Sequence, residues 1–85
     1  MKDVIRVIIA DDHSMVREGL KQLIELEEDI RVIDQAGNGE EVVQKVLEKK
    51  PNVVLMDLNM PILNGIDAVK ILKEKHCQSK IIMLT

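Results

Sequence analysis

The sequence predicts an α/β fold in which a parallel sheet carries helices on both faces. Three observations predict it. Short apolar runs alternate with longer amphipathic stretches in the order β-α-β-α-β-α-β. The connections between them are short, and such alternation is typical of doubly wound parallel sheets. Acidic residues directly follow two of the apolar runs, which is where such folds carry their sites.

Four segments are predicted strands. Residues 4–10 are almost continuously apolar, interrupted only by Arg6, as expected of a strand that is buried on both faces. Residues 53–56 have the same character and lead into Asp57. Residues 30–36 mix apolar and polar side chains and are predicted to form an edge strand. Residues 80–85 form a last apolar strand, with which the chain ends.

The first predicted helix covers residues 14–27. Its apolar residues recur at spacings of four, seven and eight, which places them on one face of a helix. They are Val16, Leu20, Leu23 and Ile24. This face is expected to pack against the sheet.

The second predicted helix has clear start and stop residues. Asn38 is expected to cap it, and Glu41 stands where a capping-box carboxylate reaches back. Lys49 and Lys50 suit the negative end of the helix dipole, and Pro51 ends the helix.

The third predicted helix covers residues 66–75, after a loop that contains Pro61 and the turn pair Asn64-Gly65. Its candidate buried side chains are Ala68, Val69, Ile71 and Leu72.

Composition narrows the classes of function. The 85 residues allow one small domain, with 46% hydrophobic residues and no aromatic residue. A formal net charge of -3 argues against a nucleic-acid-binding face. No apolar run approaches the roughly 18 residues that span a bilayer. The single Cys77 excludes an internal disulfide, and we expect a cytoplasmic protein.

The acidic residues predict a metal and phosphoryl site. Asp11 and Asp12 follow the first strand, and Asp57 follows the third. In the flavodoxin-like strand order 2-1-3-4-5, these strands are neighbours at the point where the order reverses, so the acids converge. Clustered carboxylates repel one another unless a cation such as Mg²⁺ neutralises them. A carboxylate can also accept a phosphoryl group. Alternatively, Asp11 and Asp12 only cap the next helix.

These motifs resemble one family. Residues 7–13 read VIIADDH, residues 53–61 read VVLMDLNMP, and Asn64-Gly65 and residues 81–85 complete the match. The combination is similar to the receiver domain of two-component response regulators. The resemblance covers the chain in order. The Asp12-His13 pair and residues 16–20 are similar to the subfamily with a LuxR-type helix-turn-helix.

The resemblance implies a role for each site residue. Asp57 is expected to accept phosphate from a histidine kinase, and Asp12 to bind Mg²⁺ directly while Asp11 supports it through water. The backbone carbonyl of Asn59 is expected to be a further ligand. The hydroxyl of Thr85 is expected to bond a phosphoryl oxygen and to act as the switch. The expected activity is a signalling switch with self-catalysed phosphorylation and dephosphorylation, rather than a conventional enzyme.

The resemblance also implies an incomplete domain. Residues 1–85 match the receiver in the strand order 2-1-3-4, and the family's next helix, fifth strand and last helix have no counterpart. The lysine of that fifth strand is therefore unmatched, and no DNA-binding domain follows in this sequence. The strand at residues 80–85 lacks its neighbour. We expect self-association through this edge.

Other interpretations remain open. A phosphohydrolase with an aspartyl nucleophile would need an acid where Asn59 stands. A non-phosphorylated interaction module would keep the fold alone. His13 is expected in the first turn of the first helix, partly solvated, rather than as a relay or metal ligand. His76 and Cys77 offer half of a zinc site, and no second pair exists in the sequence.

Overall fold

The computed structural model describes residues 3–84, which form strands and helices in strict alternation. The strands are β1 (Ile5–Ala10), β2 (Ile30–Ala36), β3 (Val53–Asp57) and β4 (Lys80–Leu84). The helices are α1 (Ser14–Ile24), α2 (Gly39–Lys49) and α3 (Gly65–Glu74). All strand pairs are parallel, in the order β2-β1-β3-β4, so the predicted fold class and strand order are confirmed. The predicted edge position of β2 is also confirmed.

The two faces of the sheet are covered unequally. On one face, α2 and α3 bury the larger core cluster, which includes Ile8, Val54 and Leu72. On the other face, α1 packs over a smaller cluster around Val7 and Ile9. None of the described helices is long and apolar enough to cross a membrane.

Helix α1 departs from the sequence prediction. It ends at Ile24 rather than at residue 27, because the Glu25 carboxylate turns to the sheet and accepts a hydrogen bond from the Val32 amide at 2.9 Å. Leu23, expected on the buried face, is 66% exposed, and Val16 is also exposed. Only part of the predicted apolar stripe therefore packs on the sheet.

The two ends of α2 are held by different contacts: a cap that the sequence predicts, and an arginine contact that it does not. The Asn38 side chain caps the helix by accepting from the Glu41 amide at 2.8 Å. The Glu41 carboxylate reaches back to the Gly37 amide at 3.1 Å, one residue beyond the capping-box position. At the other end, the Arg6 guanidinium donates to the carbonyls of Lys49, the last residue of α2, and Lys50, its C-cap residue. This contact explains a charged residue within an apolar strand.

Helix α3 begins and ends one residue earlier than predicted. Its start is set by the Asn64 side chain, which caps the helix by accepting from the Asp67 amide at 2.9 Å. The site described below lies at this end of the sheet.

Candidate metal and phosphoryl site

Three carboxylates meet at the carboxyl ends of two adjacent strands. Ala10 and Met56 are partners in the β1–β3 register, so Asp11 and Asp57 occupy the next pair of positions. Asp12 follows at the exit from β1. Together with His13, these residues each offer one ligand atom, and the four atoms lie within 4.8 Å of one another. The structure thus brings together the acids that the sequence placed at separate strand ends.

Backbone and side-chain contacts hold the loop after β1. Asp11 is buried, and its amide donates to the Ala36 carbonyl at the end of β2 at 3.0 Å. Its own carbonyl accepts a hydrogen bond from the Arg17 guanidinium of α1, which also donates to the Gln35 side chain at 3.0 Å. Arg17 therefore ties the acidic loop to both α1 and β2. No motif in the sequence marks Arg17 as part of the site.

The loop after β3 places Asp57 beside closely packed main chain. The Asn59 amide donates to the Asp57 carboxylate at 3.3 Å, and the Gly65 amide donates to the Leu58 carbonyl at 3.0 Å. A Cβ atom on Gly65 would lie 2.4 Å from the Asp57 carbonyl oxygen. Glycine is thus required where α3 approaches the end of β3.

His13 lies closer to the acids than the sequence indicated. It is the N-cap residue of α1 in an extended conformation, and its side chain makes no capping bond. Its Nδ1 atom lies 3.0 Å from Oδ1 of Asp11 and 2.9 Å from Oδ1 of Asp12, although the side chain is 68% exposed. The hydrogen bond with Asp11 and the charge of Asp12 raise the pKa of the His13 imidazole above its ordinary value. In the sequence, the position of His13 directly after two acids at a strand end is the feature that could have predicted this contact.

Helix capping does not account for the acidic pair. The first turn of α1 contains no acidic residue, and the N-cap position belongs to His13. The side chain of Asp11 accepts from the His13 amide at 2.8 Å, before the helix begins. The alternative in which the two acids only cap α1 is therefore not observed.

The donor set fits a hard divalent cation. Within residues 3–84, neither Lys nor Arg forms an ion pair with Asp11, Asp12 or Asp57, and His13 is their one basic neighbour in such a pair. Carboxylate oxygens are the ligands that Mg²⁺ prefers, and it keeps several waters when few protein ligands are present. The cluster at the end of the sheet can therefore hold such an ion through the three acids.

The remaining candidate residues have different outcomes. Thr85 lies outside the described residues, so the switch role of its hydroxyl stays a prediction. Asn59 has its amide beside Asp57. His76 and Cys77 follow α3 in the loop before β4, at the amino-terminal end of the strands, and are not members of the acidic cluster.

Residues 7–85 match the family model described as the response regulator receiver domain. The chain is 48% identical over 80 residues to the transcriptional regulatory protein YdfI of Bacillus subtilis, covering 94% of this chain and 37% of that protein. It is 38% identical over 79 residues to the nitrate/nitrite response regulator protein NarL of Escherichia coli K12, covering 93% of this chain and 37% of NarL.

Solved structures agree with these matches. The response regulator domain of Thermotoga maritima CheB superposes with a TM-score of 0.90 at 42% identity, covering 94% of this chain and 59% of that one. A DNA-binding response regulator of the LuxR family from Staphylococcus aureus gives a TM-score of 0.88 at 32% identity, covering 94% and 67%. The chain spans about two fifths of the curated regulators named above.

Proposed function

This chain is a receiver domain of the two-component response regulator family, and we propose that Asp57 accepts a phosphoryl group from a sensor histidine kinase. The observation that carries the proposal is the position of Asp57 at the end of β3, within a cluster of ligand atoms that all lie within 4.8 Å of one another. A carboxylate in such a cluster is both a nucleophile and a metal ligand.

The proposed reaction is a transfer between two protein side chains. A carboxylate oxygen of Asp57 attacks phosphorus on the phosphohistidine of the kinase. A P–O bond forms, the P–N bond breaks, and the leaving imidazole keeps the electron pair and takes up a proton from solvent. A bound Mg²⁺ would neutralise charge on the transferring group. Asp12 would hold the ion directly, with Asp11 acting through water and Asn59 through its backbone carbonyl.

The product is proposed to be a switch state rather than a released metabolite. Water then attacks phosphorus of the acyl phosphate, which releases inorganic phosphate and restores the Asp57 carboxylate. The Thr85 hydroxyl is proposed to bond a phosphoryl oxygen in the phosphorylated state. Position 59 holds Asn, whose side chain cannot act as the general acid that a conventional aspartyl phosphohydrolase requires. This supports a signalling role.

The acceptor can be tested by labelling. The chain is incubated with acetyl phosphate and Mg²⁺, and the acyl phosphate is mapped by mass spectrometry. We expect a single adduct on Asp57, absent from Asp57→Asn and retained in the control Asp67→Asn, whose acid is exposed on the first turn of α3. Full labelling of Asp57→Asn would contradict the assignment.

The output is proposed to be transcriptional. The relatives YdfI and NarL are a transcriptional regulatory protein and a nitrate/nitrite response regulator. We therefore propose that the parent protein joins residues 1–85 to the rest of a receiver and to a LuxR-type DNA-binding domain, in the cytoplasm.

The fifth strand of a receiver carries a lysine that has no counterpart in residues 1–85. Appending the remaining receiver segment, and with it this lysine, should raise the labelling rate of Asp57, because the cation stabilises charge on the phosphoryl group. An unchanged rate would count against this part of the proposal.

The 85-residue chain alone is proposed to self-associate through β4. Among the described strands, β4 pairs with β3 on one side only, and its Ile82 side chain is 43% exposed. An apolar edge strand with open backbone groups invites pairing with a second chain. Size-exclusion chromatography with light scattering should show a dimer at high concentration, and Ile82→Lys should weaken it. A wild-type monomer throughout the range would contradict this.

A further inference from the structure

The His13 ring occupies a position in the acidic cluster that the proposed reaction does not use. Its Nδ1 atom lies 3.0 Å from Oδ1 of Asp11 and 2.9 Å from Oδ1 of Asp12. The ring is not used to cap α1, although His13 is the N-cap residue. The imidazole therefore lies beside two carboxylates and within 4.8 Å of a ligand atom of Asp57, with no function assigned to it so far.

The separations have the size expected for neighbouring ligands of one ion. Mg²⁺ is bound at about 2.0–2.1 Å in octahedral geometry, so two adjacent ligand atoms lie about 3.0 Å apart. The distance from Nδ1 of His13 to Oδ1 of Asp12, the proposed direct ligand, matches this edge length. An ion held by Asp12 and Asp57 would lie within reach of the His13 ring, because the ligand atoms of these residues all lie within 4.8 Å of one another.

Imidazole changes which ion such a site prefers. Mg²⁺ takes oxygen ligands, whereas imidazole nitrogen suits transition metals. Among the first-row divalent ions, affinity for such ligands rises from Mn²⁺ through Fe²⁺, Co²⁺ and Ni²⁺ to Cu²⁺. We propose that His13 is a direct metal ligand through Nδ1, and that it shifts the preference of the acidic site from Mg²⁺ toward Mn²⁺ and heavier first-row ions. The proposal rests on the metal site of the proposed function and adds His13 to its residues.

The same distances also describe hydrogen bonds, and this defines the competing case. If His13 only donates its Nδ1 proton to Asp11 and Asp12, the ring blocks the ion, and its removal should raise the affinity for every divalent cation. If His13 is a ligand, the proton on Nδ1 leaves to solvent when the ion binds. Removal of the ring should then lower the affinity for Mn²⁺ more than for Mg²⁺.

The experiment compares two ions in three proteins. Calorimetric titration with MgCl₂ and with MnCl₂ gives the ratio of the two affinities for the wild type, for His13→Asn and for His76→Asn. Asn is a favoured N-cap residue, so the first variant preserves the start of α1. His76→Asn is the matched control, because it removes the second of the two histidines, which lies at the opposite end of the strands from the acidic cluster. Far-UV circular dichroism checks that each variant is folded.

We expect the Mn²⁺-to-Mg²⁺ affinity ratio to fall about tenfold in His13→Asn, in the range found for lost contacts around a metal, and to stay unchanged in His76→Asn. Pulsed electron paramagnetic resonance of the Mn²⁺-loaded wild type should show modulation from a bound imidazole nitrogen. This modulation should persist in His76→Asn and disappear in His13→Asn.

Two results would overturn the proposal. One is an unchanged affinity ratio without nitrogen modulation in the wild type. The other is a rise in affinity for both ions in His13→Asn, as the blocking ring predicts. Either result leaves the metal site of Asp12 and Asp57 in place. By contrast, a wild type that binds neither ion would overturn the metal site of the proposed function as well.

Discussion

Asp34 and the acidic cluster of Asp11, Asp12 and Asp57 have opposite electrostatic surroundings. Asp34 on β2 lies 2.6 Å from the Lys49 ammonium and 3.1 Å from that of Lys45, both on α2. The acidic cluster at the end of β1 and β3 has no Lys or Arg ion pair within residues 3–84. A carboxylate with cations from its own chain stabilises the fold, whereas carboxylates without them are available to an ion from solution.

A β-bulge places Asp34 beside its lysines. The β1–β2 register pairs Val7 with Val32 and then Ile8 with Asp34, so Ile33 is the extra residue. Two successive residues, Ile33 and Asp34, therefore make contacts toward α2. Burial raises the pKa of Asp34. Hydrogen bonds from Lys49, from the Gln35 amide and from Lys45 outweigh burial and lower this pKa to about 2.

The largest contrast is expected in metal affinity. Asp12→Asn removes a carboxylate from the cluster and should weaken Mg²⁺ binding by about a hundredfold, because charged oxygen ligands dominate the affinity of this hard ion. Asp34→Asn should leave Mg²⁺ binding unchanged, since its cations come from the chain itself. Calorimetric titration measures both. Equal losses in the two variants would remove the distinction between the two groups of acids.

The second contrast is in stability and its pH dependence. Asp34→Asn should lower the free energy of unfolding by about 2 kcal/mol at neutral pH. The pKa of Asp34 in the folded chain is about 2, below its ordinary value of 3.8. The stabilisation is therefore fully present above the ordinary value and is lost as the pH falls through 2. Wild type and variant should converge in acid.

This test uses urea unfolding followed by far-UV circular dichroism, because the chain has no aromatic residue to report by fluorescence. Asp67→Asn is the control, since its acid is exposed on α3. A stability difference that persists unchanged below the ordinary range of carboxyl pKa values would show that packing, rather than charge, accounts for the effect of Asp34.

A smaller effect of opposite sign is expected at the acidic cluster. In metal-free buffer well above the raised pKa of the His13 imidazole, Asp12→Asn should raise the free energy of unfolding by about 1 kcal/mol. The substitution relieves repulsion with Asp11 and Asp57. Saturating Mg²⁺ should cancel this advantage, because the ion stabilises only the chain that binds it. A variant less stable than the wild type without metal would contradict the argument.

The smallest effect is expected from Arg17, which holds the acidic loop without belonging to it. Arg17→Lys should reduce Mg²⁺ affinity by about threefold, because an ammonium cannot reproduce the fork that joins the Asp11 carbonyl to the Gln35 side chain. Lys21→Ala, one turn further along α1, should have no effect. Unaltered affinity in Arg17→Lys would show that the loop after β1 keeps its geometry without the guanidinium.

Local pattern was enough to predict most of the fold. Apolar runs located the four strands, the Asn38 cap located the start of α2, and the strand order followed from the resemblance. The predicted end of α1 was wrong by three residues, because the chain leaves the helix after Ile24 and the Glu25 side chain bonds to β2. A contact made across the fold therefore overrode a local preference.

The sequence by itself determined which acids come together, because Asp11, Asp12 and Asp57 each follow a strand, and parallel strands place their carboxyl ends at one edge. Only the tertiary structure decided which other side chains meet them. The approach of His13 depends on an extended N-cap conformation, and the lysine partners of Asp34 depend on a β-bulge. Periodicity in sequence does not encode either feature, since the first is set by the backbone conformation of the loop after β1 and the second by the register between β1 and β2.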